Sequence, residues 1–135
     1  MMGRAYSLLG FKIVDGVVGA GFPIKPSHSA VFAQIRPGGT RLSDLARGAN
    51  MTPQSMGELV DELERSGYVV RQPDPTDRRA KLVVLTALGE KTVRASMVTI
   101  QGIEAELSRI LGDEDHERLK DILRRILASG SPTNT

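Results

Sequence analysis

The sequence predicts a mainly α-helical fold with a small β-hairpin. Apolar residues recur at three- or four-residue steps in long segments near both ends of the chain, which is the helical period. A turn rich in Pro and Asp separates two β-rich segments in the middle. With 135 residues, of which 40% are hydrophobic and 25% charged, the chain can bury one ordinary core. We therefore expect a single domain over residues 1–135.

Composition excludes several kinds of site. The chain contains no cysteine, which excludes disulfides, thiolate nucleophiles and zinc fingers. His28 and His116 lie far apart, so we expect two helix-surface histidines, no metal site and no cofactor. No stretch reaches the roughly 20 apolar residues of a membrane span, and no signal-peptide cleavage site follows residue 23. We expect a cytoplasmic protein without a membrane partner.

Residues 1–26 are predicted to form an N-terminal dimerisation helix. Its apolar residues follow a loose helical period through Tyr6, Leu9, Ile13, Val17 and Phe22. Glycines within this helix weaken it by roughly 1 kcal/mol each. Packing against other helices, including those of a second copy, must therefore stabilise it, and Pro23 and Pro26 are expected to end it.

Residues 27–86 are predicted to form a helix-turn-helix followed by a hairpin. Ser27 is expected to cap a helix from His28 to about Ile35, and a second short helix is expected over residues 42–49. Thr52 can cap a third helix with Pro53 at its first position, where the missing N–H is tolerated. Gly67 is the expected left-handed terminator of that helix.

The hairpin is predicted from strands at 68–72 and 80–86 with turn residues at 73–78. Its surroundings are basic, because residues 65–94 contain seven Lys or Arg against three Asp or Glu. Strand alternation puts Asp77 and Arg79 on one side, so we expect the carboxylate to hold the guanidinium. Together with the preceding helices, the hairpin predicts a winged helix-turn-helix.

Residues 87–128 are predicted to form two C-terminal dimerisation helices. Thr86 is expected to cap the first, Gly112 to end it, and Asp113 to cap the second. Residues 129–135 are polar and are expected to form a flexible tail.

The third helix is the predicted reader of the DNA major groove. Helical spacing turns Met56, Leu59 or Val60, and Leu63 inward, which leaves the polar N-terminal residues facing outward. Gln54 can donate to and accept from adenine, and a wing arginine suits a narrow minor groove. The predicted DNA-contacting residues are Arg41, Ser43, Thr52, Pro53, Gln54, Ser55, Glu58, Asp77, Arg78, Arg79 and Lys81.

Three segments resemble the multiple-antibiotic-resistance regulator (MarR) family: residues 42–46, the helix over 52–67 with its Asp-Glu-Leu-Glu at 61–64 and the Gly-Tyr-Val at 67–69, and above all residues 74–89 with their Asp-Arg-Arg wing and Leu-Thr-x-x-Gly helix start. The resemblance covers residues 27 to about 127. It implies a homodimeric repressor that binds a pseudo-palindromic operator in double-stranded DNA and is released by a small aromatic or apolar effector. It also assigns Thr52, Gln54 and Ser55 to the major groove, Arg79 to the minor groove, and Asp77 as the partner of Arg79.

Glu58 departs from the family pattern, because many relatives carry an arginine or another polar donor there. A carboxylate near DNA either accepts from cytosine N4 or repels phosphate. The alternative function is therefore a winged-helix dimeric interaction module that has lost specific DNA binding. Gly57 permits close approach of a bulky partner or is merely tolerated.

Catalysis is not expected. Asp61, Glu62 and Glu64 lie on what we interpret as a solvated helix face, without a nucleophile or base beside them. The protein is therefore predicted not to be an enzyme.

Overall fold

The computed structural model describes residues 1–130 and divides into two compact units, one over residues 1–99 and one that begins at Ile100. Most of the fold is helical, with one small antiparallel sheet, as the sequence predicts. The helices are α1 (Met2–Gly19), α2 (Ser29–Phe32), α3 (Leu42–Gly48), α4 (Pro53–Arg65), α5 (Ala87–Leu111) and α6 (Asp113–Gly130). The strands are β1 (Thr40–Arg41), β2 (Val69–Asp74) and β3 (Asp77–Leu85).

The segment after α1 differs from the prediction. Residues Pro26–His28 form one 3₁₀ turn, and α2 covers only four residues after it, so a Ser27-capped helix running to Ile35 is wrong. The reason lies in the His28 side chain, whose Nδ1 accepts the Lys25 backbone N–H at 3.1 Å. That bond closes the turn before a regular helix begins.

The helix-turn-helix forms as its capping residues predict. Thr52 Oγ1 accepts the Ser55 backbone N–H at 3.1 Å, and Pro53 is the first residue of α4. The chain leaves α4 through Gly67, whose φ of +83° is the left-handed conformation that glycine adopts without strain. The Thr52 cap joins residues three apart, and Gly67 acts through its own backbone conformation. Both features could therefore be predicted from local sequence alone.

The sheet has the strand order β1-β3-β2, with both neighbours antiparallel to β3. The short strand β1 pairs Thr40 with Val83 and was not predicted. The hairpin turn is also shorter than expected, because β2 extends to Asp74 and β3 begins at Asp77. One Asp74 carboxylate oxygen closes this turn by accepting both the backbone N–H and the hydroxyl of Thr76, at 2.8 and 2.7 Å.

A continuous apolar core lies between the helices and the sheet of the first unit. Its fully buried side chains include Val17, Val31, Leu45, Met56, Val60, Leu63, Val69 and Val83. Thr86 Oγ1 accepts the Gly89 backbone N–H at 3.1 Å, which confirms the predicted cap of α5. A Cβ at Gly89 would collide with the Tyr68 carbonyl oxygen, so a glycine allows α5 to begin directly against the chain entering β2.

In the second unit, Gly112 separates α5 from α6 with φ of +81°. Asp113 is the first residue of α6 rather than the cap before it, and its carboxylate accepts the Ser108 hydroxyl. Both histidines are buried, His28 at 5% and His116 at 8% exposure, so their prediction as surface residues is wrong. Ser129 and Gly130 of the predicted tail belong to α6, and residues 131–135 lie outside the described residues.

Candidate nucleic-acid interface

Helix α4 has one buried face and one exposed face. Met56, Val60 and Leu63 are completely buried, as predicted, and Leu59 is half-buried. The predicted outward residues Thr52, Pro53, Gln54, Ser55 and Glu58 are all exposed. Because the first turn carries no acidic residue, its backbone N–H groups present a positive end to an approaching anion.

The carboxylates of α4 are partly exposed to solvent, as predicted, but they also accept bonds from neighbouring elements. Arg71 of β2 donates from Nη2 to Asp61 at 2.7 Å and from Nη1 to Glu64 at 3.0 Å. The Arg71 backbone N–H also donates to the second Glu64 oxygen at 2.9 Å. These bonds fasten the wing strand β2 to the helix that is expected to read DNA.

Glu62 fastens α4 to the segment before α2. The Lys25 backbone N–H donates to His28 Nδ1, so His28 Nε2 carries the hydrogen that it donates to Glu62 at 2.9 Å. Lys25 Nζ lies 3.4 Å from the same Glu62 oxygen. The hydrogen bond from His28, and then that from Lys25, lower the pKa of Glu62 below its ordinary value of 4.5.

The wing tip carries three exposed cations, Arg78, Arg79 and Lys81. None of their side chains forms an ion pair with a residue in the described range 1–130. Asp77 Oδ1 accepts the backbone N–H of Arg79 at 3.0 Å. The expected bond between Asp77 and the Arg79 guanidinium is therefore not made, and Asp77 shapes the backbone instead.

Arg41 is bonded to Asp74, which is not among the predicted DNA-contacting residues. Its Nε and Nη2 lie 2.8 and 2.7 Å from Asp74 Oδ2, and its Nη2 lies 3.9 Å from Asp77. Asp74 is 7% exposed, and the pKa of its carboxyl falls to about 2, first because Thr76 donates twice and then because of Arg41. Ser43, the other candidate near β1, is exposed in the first turn of α3.

Gly57 is not required by the packing of the protein interior, because a Cβ there would meet only Leu42 Cδ2, at an ordinary 3.7 Å.

Within residues 1–130, no three His, Asp or Glu side chains are grouped to hold a metal ion. No helix in this range is long and apolar enough to cross a membrane.

Comparison with known proteins agrees with this geometry. The MarR family model matches residues 22–80, which include α3, α4 and the wing turn. The transcriptional regulator HosA of Escherichia coli O111:H- is 28% identical over 103 residues, or 76% of each chain. Such relatives are transcriptional regulators rather than enzymes.

Two solved structures share the fold. CouR from Rhodococcus jostii RHA1 bound to p-coumaroyl-CoA has a TM-score of 0.76 and 24% identity, over 99% of this chain and 92% of that chain. The transcriptional repressor CouR bound to a 23-mer DNA duplex has a TM-score of 0.71 and 22% identity, over 94% and 92% of the chains. At these identities the structures establish the fold, and the family model and the curated relatives extend the likeness to function. Residues 22–80 of the chain therefore resemble the MarR family, and the curated relatives are transcriptional regulators.

Proposed function

We propose that this regulator is a dimeric, sequence-specific repressor that inserts α4 into the major groove and the wing into the adjacent minor groove of an operator. One observation carries the proposal. Helix α4 buries its apolar face completely and exposes a polar N-terminal turn, while the neighbouring hairpin exposes three cations that lack a carboxylate partner within the described chain. Polar readers together with basic positioning groups are what DNA recognition requires.

In the major groove, Gln54 is the proposed base reader, because its amide can both donate to and accept from an adenine edge. The hydroxyls of Thr52 and Ser55 suit phosphates or bases, and Pro53 fixes the start of the helix beside them. Glu58 is exposed on the same face, where it can accept from cytosine N4.

In the minor groove, Arg79 is the proposed reader, since a narrow groove concentrates negative potential that attracts a guanidinium. Arg78 and Lys81 lie beside it in β3 and are proposed to contact phosphates. Asp77 contributes by holding the Arg79 backbone N–H.

Exposed apolar side chains support a homodimer. The first unit exposes Tyr6, Leu8, Phe11, Met97 and Val98, and the second exposes Ile110, Ile122, Leu123, Ile126 and Leu127. Such surfaces are covered in stable soluble proteins, and a second copy is the proposed cover. A two-fold dimer reads a pseudo-palindrome whose half-sites lie about one helical turn apart.

A small aromatic or apolar effector is the proposed signal that releases the operator; the similar structure of CouR was solved with p-coumaroyl-CoA. An effector works only if it binds the DNA-incompetent arrangement of the dimer more tightly than the DNA-bound one. Because the partner is chromosomal DNA, the proposed location is the cytoplasm.

A random duplex library tests this function directly. The purified protein is incubated with the library at moderate salt, and the bound DNA is recovered and sequenced. We expect enrichment of a two-fold symmetric motif. Recovery of DNA without a motif would reduce the function to electrostatic binding, and no recovery would favour the interaction module that exposed Glu58 suggests.

The Gln54→Ala variant tests the reading helix in the same selection. We expect it to relax the preference at one or two base positions per half-site, because a bidentate amide contact discriminates by about 1–3 kcal/mol. Glu104→Ala, an exposed change in the second unit, is the control and should keep the wild-type motif. An unchanged motif in Gln54→Ala would remove Gln54 from the base readers.

A further inference from the structure

Arg41 and the wing are joined by a continuous set of polar contacts. Arg41 donates from Nε to Asp74 Oδ2 at 2.8 Å, while the other Asp74 oxygen accepts twice from Thr76. Asp77 follows Thr76 directly and holds the Arg79 backbone N–H at 3.0 Å. These contacts, together with the peptide bond between Thr76 and Asp77, therefore link the residue before α3 through the wing turn to Arg79.

The wing turn is irregular, which makes these contacts necessary. The pairing of β2 with β3 shifts between Pro73 and Asp74, so the last pair, Asp74 with Asp77, falls outside the regular ladder. A two-residue turn that leaves the ladder loses backbone bonds that would hold its shape. Side-chain bonds to the nearly buried Asp74 carboxylate replace them.

We propose that Arg41 is a positioning residue for the wing: through Asp74 it sets the turn that presents Arg79 to the minor groove, instead of contacting DNA itself. The inference rests on the proposed function. Two Arg41 nitrogens share the same Asp74 oxygen, and the guanidinium is 39% exposed at the side chain. Two of its three guanidinium nitrogens are thus already bonded within the protein.

Whether Asp74→Asn strengthens or weakens DNA binding separates a positioning role of Arg41 from simple electrostatics. Asp74→Asn removes a negative charge from a surface expected to face DNA, so electrostatics alone predicts tighter binding and unchanged base preference. A positioning role predicts weaker binding and a changed base preference, because the amide no longer offers a carboxylate to Arg41. Arg41→Gln breaks the same pair from the other side.

The experiment measures operator affinity by fluorescence anisotropy over a range of salt for the wild type, Arg41→Gln, Asp74→Asn and the double variant. The operator is the motif selected above, together with a version changed only in the minor-groove flank. Each protein is also measured in an Arg79→Ala background. Arg47→Gln is the matched control, because it breaks an exposed arginine–aspartate pair, with Asp44 at 2.9 Å, within α3, the helix that follows Arg41.

We expect both single variants to bind about tenfold more weakly, in the range of losing one specific base contact. The double variant should be no weaker than either, the preference for the flank should disappear, and the loss should vanish in the Arg79→Ala background. Arg47→Gln should bind like the wild type. Because every effect passes through Arg79, general destabilisation would not reproduce this pattern.

Four results would overturn the inference. If Asp74→Asn binds as tightly as the wild type or more tightly while Arg41→Gln flattens the salt dependence, Arg41 contacts phosphate directly. An equal loss with and without Arg79 would make the pair a purely structural support. A wild type that binds no DNA would overturn the proposed function as well. If neither Arg41→Gln nor Asp74→Asn loses operator affinity, only the positioning role of Arg41 is overturned.

Backbone NMR on the free protein gives a reading that does not depend on DNA. The amide signals of Thr76 and Arg79 should move in both Arg41→Gln and Asp74→Asn, because the turn that carries them is released. They should stay in place in Arg47→Gln. Unmoved signals in the first two variants would contradict the proposed connection even if DNA binding fell.

Discussion

The winged helix-turn-helix and the terminal helices differ in where their apolar side chains lie. Leu63 in α4 is completely buried, whereas Ile126 in α6 is 53% exposed, although both lie on amphipathic helices. The winged part is enclosed by its own chain, with charged groups bonded across its elements. The terminal helices expose apolar side chains that are expected to meet a second copy. The comparison separates what one chain stabilises alone from what needs a partner.

The largest expected effect concerns the buried core of the winged helix-turn-helix. Leu63→Ala should reduce the free energy of unfolding by about 2–5 kcal/mol, because a fully buried side chain leaves a cavity. Urea denaturation at a fixed protein concentration measures it. Ile126→Ala is the control and should cost less in dilute solution. A loss below about 1 kcal/mol for Leu63→Ala would mean that the core can collapse around the gap.

The exposed apolar surface of the terminal helices is tested by Ile126→Glu. A carboxylate in an apolar interface lacks a partner and costs several kcal/mol, so the dimer dissociation constant should rise about tenfold or more. Analytical ultracentrifugation at micromolar concentration measures it, and Arg125→Gln, an exposed neighbour with the same change in net charge, is the control. A wild type that sediments as a folded monomer would refute the homodimer.

A smaller effect concerns the free cations of the wing. Arg79→Ala should weaken operator binding about tenfold and flatten the salt dependence, because a groove contact and a released counterion are both lost. Arg65→Ala, which removes one exposed cation from the far end of α4, is the matched control. Equal affinities and salt slopes for Arg79→Ala and the wild type would show that the wing does not enter the groove.

The smallest effect is a dependence of stability on acid. The pKa of Asp74 is about 2 in the folded protein against an ordinary 3.8, so its bonds stabilise the fold above about pH 4. This contribution is lost as the pH falls from about 4 towards 2, and Glu62, whose pKa is also lowered, adds to the loss below 4.5. Urea denaturation should show a steeper decline for the wild type than for Asp74→Asn. Parallel declines would contradict the assignment.

Much of the fold could be predicted because its signals are local. The caps at Thr52 and Thr86 and the left-handed Gly67 act within three or four residues, and all three occur as expected. The three- and four-residue spacing of apolar residues identified the buried face of α4 for the same reason. Local signals also misled, because the hydroxyl of Ser27 suggested a cap where His28 closes a 3₁₀ turn.

The candidate interface was only partly predictable. The exposed residues of α4 and the wing cations could be identified, since helical period and turn chemistry decide which side chains face outward. Whether an exposed arginine is free or bonded could not. Arg41 and Arg79 are both arginines beside a turn. Arg41 is bonded to Asp74, whereas the Arg79 guanidinium has no bond to Asp77, whose carboxylate accepts only the backbone N–H of Arg79.

The amino-acid order alone was sufficient for the resemblance to the MarR family, the mainly helical fold with a hairpin, and the exposed face of α4, because each depends on residues close together in the chain. Tertiary structure decided the pairings, which join residues 33 apart in Arg41 with Asp74 and 34 apart in His28 with Glu62. No short-range pattern selects such partners. They meet because the packing of α4 against the sheet and the N-terminal segment brings them within bonding distance, and only then does electrostatics choose among the available charges.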